Sequence, residues 1–271
     1  MLKPLLFILF FGFSTQMLYG QNTHINLGAR SSAMGHTGVA SSDFWSVNNN
    51  QAGLAFIKKS GVGFYYQNLY LMKDLNFNQA SAILKTYRGG FGLNVSYYGY
   101  GEYNEKKIGF AYGMQLGKRL SIGAQLDYLH TYIAQEYGAK GLITFELGMM
   151  AKITEELTLG AHVFNPIRAK FAEYNDERIP TILSLGLNWN LDEDFTAAIE
   201  AESDMKNPLI LKAGLEYNIM DLMYARIGVS NNPNIFSFGV GLHLGGFKLD
   251  FSSSMHQVLG YSPQFSAIYI F

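Results

Sequence analysis

Glu200 and Glu202 stand two residues apart, and paired carboxylates are the working groups of glycoside hydrolysis. Here both fall on one face of one extended segment, with Lys212, Glu216 and Arg226 on the segments that follow. Basic neighbours at that spacing favour ion pairing over acid–base work, because a charge taken out of water needs a partner. Six histidines are present (His24, His36, His130, His162, His243 and His256), and none has the His-x-x-x-His spacing of a metal site. His162 and His243 read as lumen-facing, hydrogen-bonded side chains. A Ser/His nucleophile needs a defined setting, and no Gly-x-Ser-x-Gly elbow supplies one. There is no phosphate loop and no dinucleotide fingerprint. The absence of cysteine removes disulfides, thiol catalysis and cysteine-ligated metals together. A net charge of −1 without a basic block makes nucleic acid a poor partner. The expectation is a protein that is not an enzyme and has no cofactor and no metal.

The elements that carry these side chains are short alternating strands. Fourteen are expected: Ser60–Gln67, Leu75–Lys85, Arg88–Tyr100, Lys106–Leu116, Ser121–Tyr132, Gly141–Ile153, Leu157–Asn165, Thr181–Asn190, Phe195–Ser203, Leu209–Asn218, Met223–Ser230, Ile235–Leu244, Phe247–Ser254 and Gln264–Phe271. Most approach the ~9–11 residues that a tilted strand needs to cross a bilayer. In the tenth, Leu209, Leu211, Ala213, Leu215 and Tyr217 share one face, and Ile210, Lys212, Gly214 and Glu216 the other. The second is ambiguous, since Leu75 and Phe77 start one face while Ala80, Ala82 and Leu84 continue the other. Short connections alternate with longer ones, as in outer-membrane barrels, and aromatic residues such as Tyr97, Tyr100, Tyr128, Tyr132, Trp189 and Tyr217 fall near strand ends. The reading is all-β: a 14-stranded antiparallel transmembrane β-barrel over residues 60–271, its apolar face on outer-membrane lipid. The lumen then receives Asp127, Glu146, Lys152, Glu200, Glu202, Lys212, Glu216, Arg226, Lys248 and Asp250, an ion-pair lattice that Arg30 can join.

Residues 1–20 read as a secretory signal: Lys3, the apolar run Leu5–Phe13 and the small Gly20. Residues 21–59 do not alternate. They run Gly28-Ala29-Arg30-Ser31-Ser32-Ala33-Met34-Gly35-His36-Thr37-Gly38-Val39-Ala40, then Trp45-Ser46-Val47-Asn48-Asn49-Asn50-Gln51-Ala52-Gly53-Leu54. This wording resembles the hatch of the FadL-type (OmpP1/TodX) fourteen-stranded barrels, and more closely that of PorV/PorQ-like relatives in bacteria with type IX secretion. The chain departs from the usual Asn-Pro-Ala of that family, with Asn50-Gln51-Ala52. The resemblance implies a hatch at 21–59 that plugs the lumen of a Bacteroidetes-like, Gram-negative outer-membrane protein with both termini in the periplasm. It further implies a kinked third strand, for which Gly89, Gly90 and Gly92 are the candidates. The aromatic C-terminus, with Tyr269 and Phe271, resembles the insertion signal of outer-membrane barrels. Two functions are implied: an accessory barrel that docks a protein partner in secretion or outer-membrane assembly, or a transporter of a hydrophobic small molecule.

Overall fold

The computed structural model describes residues 26–135, 138–171, 178–204 and 207–271. The expected signal at 1–20 lies outside them. Fourteen antiparallel strands run in chain order around a closed barrel: β1 (Gly61–Asn68), β2 (Asn76–Lys85), β3 (Gly89–Gly99), β4 (Tyr103–Gln115), β5 (Leu120–Ile133), β6 (Gly138–Lys152), β7 (Leu157–Phe164), β8 (Ile182–Asn190), β9 (Phe195–Asp204), β10 (Ile210–Asn218), β11 (Met223–Ser230), β12 (Ile235–Leu244), β13 (Phe247–His256) and β14 (Gly260–Ile270). β14 closes on β1 through pairs from Gly61↔Ile270 to Gln67↔Gln264. Closure leaves no sheet edge around the seam, which is what a strand-built membrane span requires.

The alternation sorts side chains as the sequence implies. Leu93, Phe110, Leu126, Ile143, Leu185, Ile199, Leu211, Val240 and Phe251 point outward and are exposed, so the outer wall is an apolar belt. Tyr100, Tyr128 and Tyr132 mark its loop end, and Trp189, Tyr217, Tyr269 and Phe271 its turn end. Most inward positions are small or polar. Ser237, Ser252, Ser254, Ser262, Gln264 and Ser266 are buried in the wall of β12–β14.

Three boundaries shift by three residues or more. β4 and β6 each begin three residues earlier than expected, and β14 begins at Gly260 rather than Gln264. The expected loop at 255–263 thus contracts to residues 257–259, because Tyr261 and Ser262 pair with Met255 and Ser254. The ambiguous β2 resolves with Phe77, Gln79, Ser81 and Ile83 inward. Phe77 and Ile83 belong to an internal apolar cluster, which is why the hydrophobic pattern of β2 looks two-faced.

β3 is not kinked. It pairs without interruption from Phe77↔Tyr98 to Lys85↔Gly90 on one side and from Gly89↔Met114 to Gly99↔Asn104 on the other. Gly89, Gly90 and Gly92 serve close approach instead. A Cβ on Gly90 would come within 2.9 Å of Leu54 O, and one on Gly92 within 2.4 Å of Val47.

Candidate functional site

Residues 26–57 lie inside the barrel and are almost entirely buried. Two short helices, α1 (Ala29–Ala33) and α2 (Ser46–Asn49), and a 3-10 turn at Gln51–Phe56 give the segment its shape. Gly28 starts α1 at φ 101°, where a Cβ would strike the Trp45 ring at 2.3 Å. Gly35 ends the first turn at φ 70°, pressed against the β10 and β11 main chain. Both positions demand glycine for conformation and space. Ala29, Ser32, Ala33, Met34, Trp45 and Ala52 are fully buried. A Cβ on Gly38 or Gly53 would meet Asn49 or Ser46 inside the segment itself.

The segment is two-sided. Leu27, Phe44, Trp45, Val47, Leu54 and Ile57 pack with Tyr65, Phe77, Ile83 and Ile268 of β1, β2 and β14. Elsewhere its backbone rests directly on the wall, because the wall there has no side chains. Inward glycines on β4, β5, β6, β7, β8, β10 and β11 meet it in succession. A Cβ on Gly113 would stand 2.1 Å from Gln51 O, on Gly148 2.1 Å from Asn50, on Gly160 2.1 Å from Val39 O, and on Gly228 2.0 Å from Gly35 N. Several of these glycines are direct cross-strand partners: Gly113↔Gly123↔Gly148, Gly160↔Gly186 and Gly214↔Gly228. A girdle of bare main chain therefore holds the segment.

Three wall carboxylates anchor it. Glu216 accepts a forked pair from Arg30, Nε to Oε2 at 2.8 Å and Nη2 to Oε1 at 2.7 Å, and Arg30 Nη1 reaches Asp43 at 3.1 Å. Arg226 donates to the same Glu216 and, at 2.6 Å, to Asp250. Glu200 accepts the main-chain N–H groups of Gly38 and Val39 at 2.8 and 2.9 Å and the Asn26 amide at 2.7 Å. Lys212 bridges Glu200 at 3.0 Å and Glu202 at 2.7 Å. Glu146 accepts from Gln51 at 2.7 Å, contacts His162 at 2.9 Å and pairs with Lys107, which also approaches Asp127 at 3.4 Å. Planar, bidentate Arg–carboxylate pairing fixes direction as well as charge.

Of the lumen charges expected from sequence, Glu200, Glu202, Lys212, Glu216, Arg226 and Asp250 are brought together. Lys248 is half-buried and makes no ion pair among the described residues. Lys152 lies over the Phe56 ring at 4.5 Å. The departure at Gln51 explains itself. Asn50 still caps the 3-10 turn by accepting from Ala52 N, and its amide donates to Val39 O at 2.6 Å, while the residue after it supplies the amide that binds Glu146. Lys107, Asp43, Gln51 and Asn26 escaped the sequence reading. For Lys107 the signal was present, since it shares a face with Gly109, Ala111 and Gly113.

A second cluster closes the loop end. Ile179, from the β7–β8 loop, packs on Leu129, Phe164 and Ile182, with Leu142 and Phe171 beside it. Asn165 holds that loop, accepting from Thr144 at 2.7 Å and Ala169 N at 3.0 Å and donating to Ile179 O at 2.9 Å. Next to it, among the described residues, the start of β6 pairs with β5 alone. β6 runs from Gly138, but its ladder with β7 spans only Glu146↔Phe164 to Lys152↔Thr158. Among the described residues no group of three His, Asp or Glu side chains is placed to hold a metal.

No family model matches the chain, and no curated protein is similar to it in sequence. Solved structures are similar in fold. The CymD monoaromatic hydrocarbon channel superposes with a TM-score of 0.70 at 14% identity, over 91% of this chain and 98% of its own. The toluene transporter TbuX of Ralstonia pickettii gives 0.67 at 12%, over 92% and 98%. A FadL homologue from Pseudomonas aeruginosa gives 0.63 at 13%, over 91% and 99%. In fold the chain is thus a closed fourteen-stranded antiparallel barrel similar to these channels.

Proposed function

We propose that the protein is an outer-membrane barrel that passes an apolar small molecule from its loop end into the bilayer. The observation that carries this reading is the likeness over nine-tenths of the chain to barrels described as hydrocarbon channels and a toluene transporter. The geometry supports a route. The apolar cluster under the β7–β8 loop offers a landing place, and the upper part of β6, paired with β5 alone among the described residues, lies beside it. Below that point the lumen is polar, ion-paired and occupied by the N-terminal segment, so a lateral path at β6–β7 suits an apolar solute better than an axial one. In this reading residues 26–59 are a fixed hatch and the turn end faces the periplasm.

The test is expression in a Gram-negative host lacking its own hydrocarbon channel, with uptake of labelled toluene and oleate measured. Expression raises uptake of at least one, and Leu129→Asp with Phe164→Asp returns it to background while the barrel still assembles. Unchanged uptake with correctly inserted protein disposes of the proposal. A second reading, an accessory barrel of PorV/PorQ type that docks a protein in secretion or assembly, draws on the short connections at the loop end, three residues at 100–102 and 257–259. Stable co-isolation of one outer-membrane or surface protein, with no uptake, favours it.

A further inference from the structure

The exposed charges at the short-turn end are sorted by sign around the rim. Lys58 and Lys59 precede β1, Lys85 and Arg88 flank the β2–β3 turn, and Lys118 and Arg119 form the β4–β5 turn. Glu155 and Glu156 form the β6–β7 turn, Asp192, Glu193 and Asp194 the β8–β9 turn, and Asp221 sits in the β10–β11 turn. Strands neighbour one another in chain order, so these turns follow one another around the circle. One arc, β1 to β5, is wholly cationic at its tips. The next arc, β6 to β11, is wholly anionic. Lys152, which lies between them, turns inward over Phe56.

Eleven of the twelve residues are exposed, Lys85 being half-buried, and none forms an ion pair among the described residues. The lumen behaves in the opposite way, with Arg30, Lys107, Lys212 and Arg226 all paired. Hydrogen bonds within the turns fix some of the anions without neutralising them. Asp192 accepts from Asp194 N and Phe195 N, and the Thr154 hydroxyl bound to Glu156 holds that carboxylate below its usual range. Successive turns on one rim are two strands apart, about 10 Å, close to the Debye length of about 8 Å at physiological salt. Each arc therefore acts as a patch toward a body in contact with it and is screened from anything distant.

A lipid headgroup layer presents no second patch of opposite sign to match the anionic arc. A second copy fails for another reason. A copy beside it in the same membrane meets the rim only edge to edge, so most of both arcs stays open to water. The occupant that fits is a body on the water side with separate acidic and basic patches. We propose that the short-turn rim docks a water-soluble protein domain carrying an acidic patch for the Lys58–Arg119 arc and a basic patch for the Glu155–Asp221 arc. This rests on the fold alone and stands or falls independently of any solute transport.

The test uses the full barrel in nanodiscs of zwitterionic lipid and three labelled peptides: a glutamate run joined by a Gly-Ser linker to a lysine run, an alternating Glu-Lys peptide of the same composition, and an all-glutamate peptide. Anisotropy titrations show the diblock binding about tenfold more tightly than either control, a difference of about 1.4 kcal/mol, and losing that advantage in high salt. The variant K58E/K59E/K118E/R119E loses the preference. Adding E155K, E156K, D192K and D194K restores it, since the diblock can then bind reversed. Equal binding of diblock and alternating peptides to the wild type, or of diblock and all-glutamate peptides, overturns the proposal without any variant having to fold.

Discussion

Replacing Arg30 by Met removes the fork to Glu216 and the bond to Asp43 while keeping most of the side chain's volume. Hydrogen bonds to charged groups contribute about 1.5–3 kcal/mol each, and breaking a buried pair from one side costs about 3–5 kcal/mol. Arg30 retains 20% side-chain exposure and Glu216 10%, and Glu216 keeps Arg226, so the lower end applies, about 3 kcal/mol. Glu216→Gln costs more, about 4–5 kcal/mol, because it leaves two guanidinium groups facing across one neutral amide. The double variant is less than additive by about 1–3 kcal/mol. The chain has two tryptophans, and Trp189→Phe leaves Trp45 as the sole reporter. Trp45 is buried in the segment against Phe44 and Tyr65, ring centroids 5.1 and 5.8 Å away. Acrylamide quenching of Trp45 during urea titration follows the segment, and far-ultraviolet circular dichroism follows the barrel. With a slope of about 1 kcal/mol per molar urea, Arg30→Met lowers the Trp45 midpoint by about 3 M and leaves the barrel midpoint in place. If both signals shift together, or the Trp45 midpoint moves by under about 1 M, the carboxylate anchor is not what holds the segment.

Other expectations follow from single sites. Gly123→Ala and Gly160→Ala each force a methyl group into the segment's main chain and cost about 1–3 kcal/mol or more, whereas Gly117→Ala, with nothing near its Cβ, is neutral by the same urea assay. Asn165→Ala strands Thr144 and the Ile179 carbonyl at about 1–3 kcal/mol; limited trypsin digestion then cuts after Arg178 or Lys170 at protease levels that leave the wild type intact. Phe271→Ser slows insertion into preformed vesicles, read as the time course of the heat-modifiable folded band, without changing the circular dichroism of protein that does insert.

The barrel was legible because alternation is a local property. Strands such as β8 and β10 show their outward leucines whatever the lumen contains. β2 was unreadable on its own terms, because Phe77 faces an internal apolar cluster to which residues 27–57 contribute six side chains. The girdle was invisible for a related reason. Each glycine is unremarkable alone, and its meaning depends on a segment far earlier in the chain lying against it. Gly90 and Gly92 suggested a kink, since glycine in a strand signals a bend or a close backbone approach, and the close approach to Leu54 and Val47 shows only once the segment is in place. The ion pairs were half readable. Parity placed Glu200, Lys212 and Glu216 inward, but the reach of Arg30 across 186 residues of sequence to Glu216 emerges only from folding.

A wall stripped of side chains at one level has nothing with which to narrow itself. Were the insert ever withdrawn, the remaining aperture would be as wide as the backbone allows and rimmed by Glu146, Glu200 and Glu216, newly wetted. Such an opening would conduct, and rings of carboxylates favour cations over anions. Electrical recordings on a preparation lacking the insert would then report a cation-selective leak that the barrel with residues 26–57 in place does not show.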